Sequence, residues 1–566
     1  MSSISEKIRA ATALGLLAAL SFSAHAAERP RLVLQITVDQ LRGDLPTRYY
    51  ERLGEGGFRY LWEHGVVYRN AHHAHANTET IVGHATLATG AHPSGHGMIG
   101  NLWFDREKGF TTYNVEDDRY RLLTAGADVD EDAEIDPTQR AARSEGRSPA
   151  AILVTTFADE LRSSNSGQSK VIGVSVKDRG AISMAGHSGT AYWFSKSSGG
   201  FVTSTYYLDS YPDWVQAIND TQPAAQFANT AWQLLHEQDS YMFGDSDDRD
   251  WETDVAGFGR TFPHSFGDGS SPYFTTWLTL SPAGDELVLD FAKQALVAEQ
   301  LGEDDVTDYL SISFSSTDYV GHVFGPSSLE AEDNILRLDA TLAELFAFID
   351  DEVGLDKTLI VLSADHGAPD TPGYLNSLSI PAGYVDPESW DRETAISRIK
   401  SRFDIKGDLI EAYDHPYLYF SADIKNDTRI DQSELEAAVV AKLMKFPGVS
   451  LAVSSSALRR GGLPDNELYR AVVRNFHPKR SGDVFLVFEP NWFINDFDGL
   501  VVASTHGSPW NYDTYVPIVF AGHGLAPQSI DRRVHTVDIA ATLSSYLGIK
   551  APSGSVGKPL KEAIKK

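Results

Sequence analysis

The chain has 566 residues, 42% of them hydrophobic and 22% charged, with 78 Asp+Glu against 48 Lys+Arg and a formal charge of −30. That length and balance exclude a disordered or fibrous chain, and the acidity excludes an extended nucleic-acid surface, which needs clustered Lys and Arg. Cys is absent, which excludes disulfides, thiolate metal sites and Cys nucleophiles and leaves His and carboxylates to hold any metal.

From the N-terminus, Lys7 and Arg9 precede the apolar stretch Ala10 to Phe22, which is followed by Ala24-His25-Ala26. Residues 1–26 are predicted to be a cleaved secretory signal peptide, because the apolar run is much shorter than the ~20 residues a membrane span needs. No later stretch is long and apolar enough to span. The expected product is soluble and either periplasmic or secreted.

Five nearly continuous runs of apolar residues read as buried parallel strands: Leu32 to Val38, Val171 to Val176, Tyr309 to Phe314, Leu359 to Leu362 and Leu500 to Ala503. Helical patterns over 150–162 and 329–349 complete βαβ units, so the expected class is α/β, with a central, mostly parallel sheet flanked by helices. Each run leads within a few residues into chemically capable side chains: Asp39, then Lys177 and Arg179, then Asp318, then Asp365 and His366, then His506. In open α/β sheets the ligand crevice lies beyond the carboxyl ends of the strands, so these residues can converge. Residues 190–285 and 384–485 break the rhythm and are expected to be insertions capping that crevice within one catalytic domain, 27–566. The second resembles a small α+β subdomain. The acidic stretches Asp128 to Asp136 and Asp245 to Asp250 lack calcium-loop spacing and read as solvated surface loops.

Asp318 and His322 are four apart, which puts both on one helical face. With Asp39, Asp365, His366 and His506 they make three Asp and three His, enough for two metal ions with three protein ligands each and open positions for substrate. A nucleophile is offered by Thr80, at the start of a short apolar helix that stops at Gly90, where free backbone N–H groups favour an anion. From spacing alone Thr78, Thr86 and Thr89 compete with it. Lys177 and Arg179, two apart in what reads as an extended segment, point to one side and suit the oxygens of a terminal phosphate. Asn101 adds an uncharged amide donor. The excess of histidines at 72, 73, 75, 84, 92 and 96 reads as core or supporting residues.

The segments Thr80-Ile-Val-Gly-His, His96-Gly with Asn101, Lys177-Asp-Arg-Gly-Ala, Asp318-Tyr-Val-Gly-His322, Ala-Asp365-His366-Gly and Thr-His506-Gly together resemble the motifs of PafA-like alkaline phosphatases. These form part of the phosphodiesterase/nucleotide pyrophosphatase branch of the alkaline phosphatase superfamily. The resemblance runs from about residue 30 to the stretch Thr536-Val-Asp-Ile-Ala-Ala-Thr-Leu. It implies an alkaline-phosphatase-like fold and hydrolysis of small phosphate monoesters through a phosphorylated Thr80. It further implies two Zn²⁺ ions, one held by Asp39, Asp365 and His366 and activating Thr80, the other held by Asp318, His322 and His506. Asn101, Lys177 and Arg179 would hold the phosphoryl oxygens. The sequence departs from the family pattern at Ile81-Val82, where Ala-Pro often follows the nucleophile.

A phosphodiesterase or nucleotide pyrophosphatase would use the same metals and Thr. A sulfatase would need a formylglycine precursor, which Thr80 cannot supply. A non-catalytic zinc- or phosphate-binding periplasmic protein would have an inert Thr80.

Overall fold

The computed structural model describes residues 29–245, 247–497 and 499–564; the expected signal peptide lies outside them. A 10-stranded sheet forms the centre. Its strands are β1 (Leu32–Val38), β2 (Val66–His72), β3 (Val171–Ser175), β4 (Thr190–Ser195), β5 (Gly200–Val202), β6 (Asp308–Phe314), β7 (Thr358–Ser363), β8 (Tyr515–Gly522), β9 (Gln528–Ile530) and β10 (Val534–His535). The spatial order is β9-β2-β8-β7-β1-β6-β3-β4-β5, with β10 beside β2. Strand β1 lies between β6 and β7, parallel to both, while β8 and β5 run antiparallel to their neighbours.

All seven residues of β1 are buried, as expected of a parallel strand covered on both faces. Its two faces meet different cores. Leu32, Leu34, Ile36 and Val38 pack with Leu338, Leu342 and Leu345, whereas Val33 packs with Phe157 and Leu543. Gln35, the polar member of the strand, accepts a hydrogen bond from the hydroxyl of Tyr309 at 2.9 Å, so its burial leaves that oxygen satisfied.

Four of the five expected strands stand in this sheet; Leu500 to Ala503 does not. Leu500–Val501 pairs only with Asp496–Phe497 in a small antiparallel hairpin, and Val501 is 46% exposed. Its apolar side chains line a cavity instead of filling the core. The place in the sheet is taken by β8, whose Pro517 reads against a central strand because proline cannot donate to the ladder. Strand β2 is disguised by Arg69 and Asn70, where its register with β8 shifts.

Five helices matter for the site: α1 (Thr80–Thr89), α2 (Phe157–Ser164), α3 (Asp178–Ala185), α4 (Ser316–Phe324) and α5 (Leu329–Glu352). Helix α2 begins seven residues later than the sequence pattern suggests, because Thr156 and Asp159 form a reciprocal capping box at its entrance. Helix α1 ends, as expected, at Gly90 in the left-handed region, φ 63°.

Thr190–Ser195 and Gly200–Val202 are strands of the central sheet, so the first stretch outside the βα rhythm starts beyond Val202. In the second, Ile410–Asp414, Tyr417–Phe420, Val484–Phe488 and Val449–Ser454 form a four-stranded sheet with its own apolar core, packed with the helix Gln432–Leu443. Asp431 caps that helix through the N–H of Glu434. No helix among the described residues is long and apolar enough to cross a membrane.

Candidate active site

The carboxyl ends of β1, β6, β7 and β3 deliver Asp39, helix α4, Asp365-His366 and Lys177 to one crevice. Asp318 and His322, one turn apart on α4, face each other with His322 Nε2 3.2 Å from Asp318 Oδ1. His506 joins them from the loop after Val502, its Nε2 3.4 Å from the same oxygen. No strand carries it there. The loop is held by the Ala503 N–H donating to the carbonyl of His322 at 2.8 Å and by the hydroxyl of Ser504 donating to the carbonyl of Pro369 at 2.7 Å. On the other side, His366 Nε2 lies 3.3 Å from Asp39 Oδ1 and 3.4 Å from Asp365 Oδ2.

The three histidines are oriented alike. Each Nδ1 meets a backbone carbonyl, of Ser504 for His322, of Gly367 for His366 and of Thr78 for His506, at 2.8–3.0 Å. An Nδ1–H held in this way turns Nε2 towards the carboxylates, the orientation that metal-ligating imidazoles adopt. The ligand atoms of Asp318, His322 and His506 lie within 4.8 Å of one another, and so do those of Asp39, Asp318 and His366. Asp318 therefore faces both groups. Asp39 Oδ1 and His366 Nε2 are buried and meet each other at 3.3 Å, whereas Asp39 Oδ2 meets the Lys177 ammonium at 2.8 Å and Asp365 Oδ2 meets His84 Nδ1 at 3.0 Å. Asp39, Asp318 and Asp365 are buried close together with Lys177 as the ammonium partner of the first two, and carboxylates in such excess are costly unless further positive charge serves them, so the donor set fits dications. Burial lowers His366, but Asp365 and Asp39 outweigh it and carry the imidazole up to about 9, whereas burial and His366 push His506 down to about 3.

Thr80 is the first residue of α1. Of the four candidate threonines it alone has a buried hydroxyl without a partner. Thr78 donates to the carbonyl of Ser508, Thr86 to that of Val82 and Thr89 to that of Ala85. Gly83 seats the helix against the end of β7, since a Cβ there would lie 2.6 Å from the carbonyl carbon of Asp365. His84, one of the six local histidines, bridges the same junction: Nδ1 is 2.9 Å from the carbonyl of Thr80 and 3.0 Å from Asp365 Oδ2, and Nε2 is 2.9 Å from the hydroxyl of Ser313.

Asn101 accepts the free N–H of Ile81 on Oδ1 at 3.1 Å, which turns its amide donor towards the cavity that it lines with Thr80 and Arg179. Lys177 and Arg179 do not share an extended segment. Lys177 is the extended N-cap of α3 and Arg179 already lies in its first turn, because Asp178 starts the helix. Both cations are fully buried and paired: Lys177 with Asp39 and Asp318, and Arg179 with Asp136 at 2.8 Å. The acidic stretch that reads as a solvated loop is therefore partly structural. Asp136 is 5% exposed and Glu134, ion-paired with Lys196, is 7% exposed.

Residues 33–509 match the family described as type I phosphodiesterase / nucleotide pyrophosphatase. The chain belongs to this family. It is 34% identical over 542 residues to a protein of Myroides odoratus named calcium-transporting ATPase, covering 95% of each chain. It is also 34% identical over 550 residues to alkaline phosphatase PafA of Elizabethkingia meningoseptica, again covering 95% of each. Its structure superposes on the crystal structure of wild-type alkaline phosphatase PafA with a TM-score of 0.85 at 33% identity, over 95% of this chain and 100% of that one. The sheet and its flanking helices are thus the alkaline-phosphatase-like fold expected from the motifs.

Within this member of the family, the site also uses residues that sequence reasoning did not reach. Gln40 sits in the left-handed region, φ 67°, its N–H donating to Asp365 Oδ1 at 3.1 Å and its amide to Asp318 Oδ1 at 2.7 Å. Strained backbone directly after Asp39 ties the ends of three strands together, and a Gln carries no signal of this in sequence. The ring of Tyr319 receives Lys177 at 4.7 Å and Lys196 at 5.0 Å. Its place inside the Asp318-to-His322 motif was the available signal.

Proposed function

We propose that this chain is a two-zinc alkaline phosphatase that hydrolyses phosphate monoesters through a phosphorylated Thr80. The supporting observation is the buried, unpartnered hydroxyl of Thr80 at a helix N-terminus, in one cavity with Asn101, Arg179, Asp318, His322 and His506. Asp39, Asp365 and His366 would hold one ion and Asp318, His322 and His506 the other. When bound, the ions supply positive charge that lowers the pKa of a neighbouring hydroxyl and stabilises developing negative charge on oxygen.

The chain's own groups supply the rest. The Thr80 hydroxyl oxygen forms the new bond to phosphorus as the ester P–O bond breaks; the alcohol leaves with that bond pair and takes up the proton that Thr80 loses. Water then attacks the phospho-threonine, restoring the hydroxyl and releasing inorganic phosphate. Asn101 and the buried, unpartnered Nε of Arg179 are placed to donate to phosphoryl oxygens, and Lys177 adds charge. Phosphoryl transfer depends chiefly on such positioning and electrostatics.

Thr80→Ala should abolish phosphate release while the protein keeps its zinc, measured by elemental analysis; loss of zinc with activity, or activity retained, would sink the assignment. The family's description makes diester hydrolysis the rival at the same site. A kcat/KM higher for a bis-aryl phosphate than for the aryl monoester would favour it. Residues 1–26 as a cleaved export signal complete the reading, and N-terminal sequencing of the mature protein tests that.

A further inference from the structure

The cavity over Thr80 adjoins a larger cleft of about 720 Å³, and Glu79, Pro137, Thr138 and Phe497 belong to the walls of both. The phosphoryl end of an ester must reach Thr80, so its alcohol end lies towards this cleft. Charge is unevenly distributed along that path. At the bottom, buried Lys177 and Arg179 are paired with Asp39, Asp318 and Asp136. The cleft carries Glu131, Asp386, Glu388, Asp414 and Asp496, with Arg140 as the single Lys or Arg among its described lining residues.

Glu131, Asp386 and Asp496 are exposed. The hydrogen bonds of Asp386, Asp414 and Asp496 come from the Glu388 N–H, the Thr111 hydroxyl and the Gly499 N–H. Such bonds satisfy an oxygen but leave its charge in place. A cleft lined by one sign of charge focuses its field and changes local ligand concentration by roughly 10- to 1000-fold. The cleft is therefore negative, while the bottom, where Asp39, Asp136, Asp318 and Asp365 outnumber Lys177 and Arg179, would become positive with dications in the proposed metal site, and a substrate must fit both.

We propose that this cleft is a charge filter on the alcohol half of the substrate. It admits phosphate monoesters of neutral and, above all, ammonium-bearing alcohols, and it disfavours esters whose alcohol carries further phosphates or carboxylates. Tyr384, in the same wall, offers an aromatic face that suits an ammonium group. The inference rests on the phosphatase reading of the site and names its substrate class.

The test compares kcat/KM for three alkyl phosphates of similar leaving-group basicity: ethanolamine phosphate, glycerol phosphate and 3-phosphoglycerate. At low salt the first should exceed the last by about 10-fold or more, and the ratio should shrink in about 0.5 M NaCl as screening shortens the field. The triple variant Glu131→Gln, Asp386→Asn and Asp496→Asn keeps the acceptor oxygens that hold the loops. It should raise turnover of 3-phosphoglycerate by roughly 5-fold or more and lower that of ethanolamine phosphate, leaving glycerol phosphate within about twofold. Equal ratios in wild type and variant would overturn the filter. Wild-type protein releasing no phosphate from glycerol phosphate would overturn the phosphatase reading, and the filter with it.

Discussion

Lys177 and Asp39 form a fully buried ion pair, 2.8 Å between Nζ and Oδ2, and the same ammonium also pairs with Asp318. One lysine thus holds two carboxylates that the motif assignment gives to two different ions. Removing one partner of a buried pair costs about 3–5 kcal/mol when the other is left uncompensated. Lys177→Met should therefore be less stable than wild type by about 3 kcal/mol or more in chelator, measured by urea unfolding. With saturating zinc, binding to the folded state should compensate the carboxylates and close most of that gap. An equal gap with and without zinc would refute the shared role.

The contact between Gly83 and Asp365 gives a second prediction. A methyl at position 83 would press on backbone at the end of β7, its nearest neighbours being the carbonyl, carbonyl carbon and Cα of Asp365, and backbone cannot rotate away as a side chain can. Gly83→Ala should cost about 1–3 kcal/mol by overpacking despite the better helix propensity of Ala. Activity should fall further than that of an equally destabilised surface variant, because the strain falls between Thr80 and Asp365. Unchanged stability in denaturant titration would show that α1 is not seated this tightly.

Away from the site, His187 Nδ1 lies 2.8 Å from Asp159 Oδ2, and this hydrogen bond raises the histidine above its ordinary value of 6.5. A raised folded-state value means stability that is fully present below about pH 6.5 and lost as pH climbs through the raised value. His187→Gln should thus lower Tm at pH 6 and have little effect at pH 9. The side chain is 32% exposed, so the difference should stay below about 1 kcal/mol. A larger loss at pH 9 would reverse the sign and defeat the assignment.

Much of the site was legible because chemistry here follows strand ends. Asp39, Asp318, Asp365 and His366 come within a few residues of apolar runs that the eye separates easily, and the structure sets them beside one another. His506 was legible for the wrong reason: in the run before it Leu500, Val501 and Val502 line the cavity, and the loop is fixed by Ala503 and Ser504 bonds to distant carbonyls. What sequence could not supply is pairing across distance. That the acidic stretch ending at Asp136 neutralises Arg179, or that Gln40 adopts a left-handed backbone to reach Asp318, depends on residues far apart in the chain. The spacing of Lys177 and Arg179 misled for a local reason, since Asp178 begins a helix between them.

That Asp136–Arg179 pair should decide how well the site separates monoesters from diesters. Asp136 Oδ1 accepts the N–H of Thr138 at 3.0 Å, and Oδ2 stands 2.8 Å from Arg179 Nη1. The carboxylate is thus fixed by its own turn and in turn fixes the guanidinium, whose buried Nε is unpartnered. Asp136→Asn preserves the acceptor to Thr138 but removes the charge that orients Arg179. A hydrogen bond to a charged group is worth about 1.5–3 kcal/mol, so kcat/KM for an aryl monoester should fall by roughly 10- to 100-fold. A diester presents one fewer charged oxygen and should be affected much less, so the ratio of monoester to diester hydrolysis should drop. A parallel fall for both substrates would mean that Asp136 supports the fold alone.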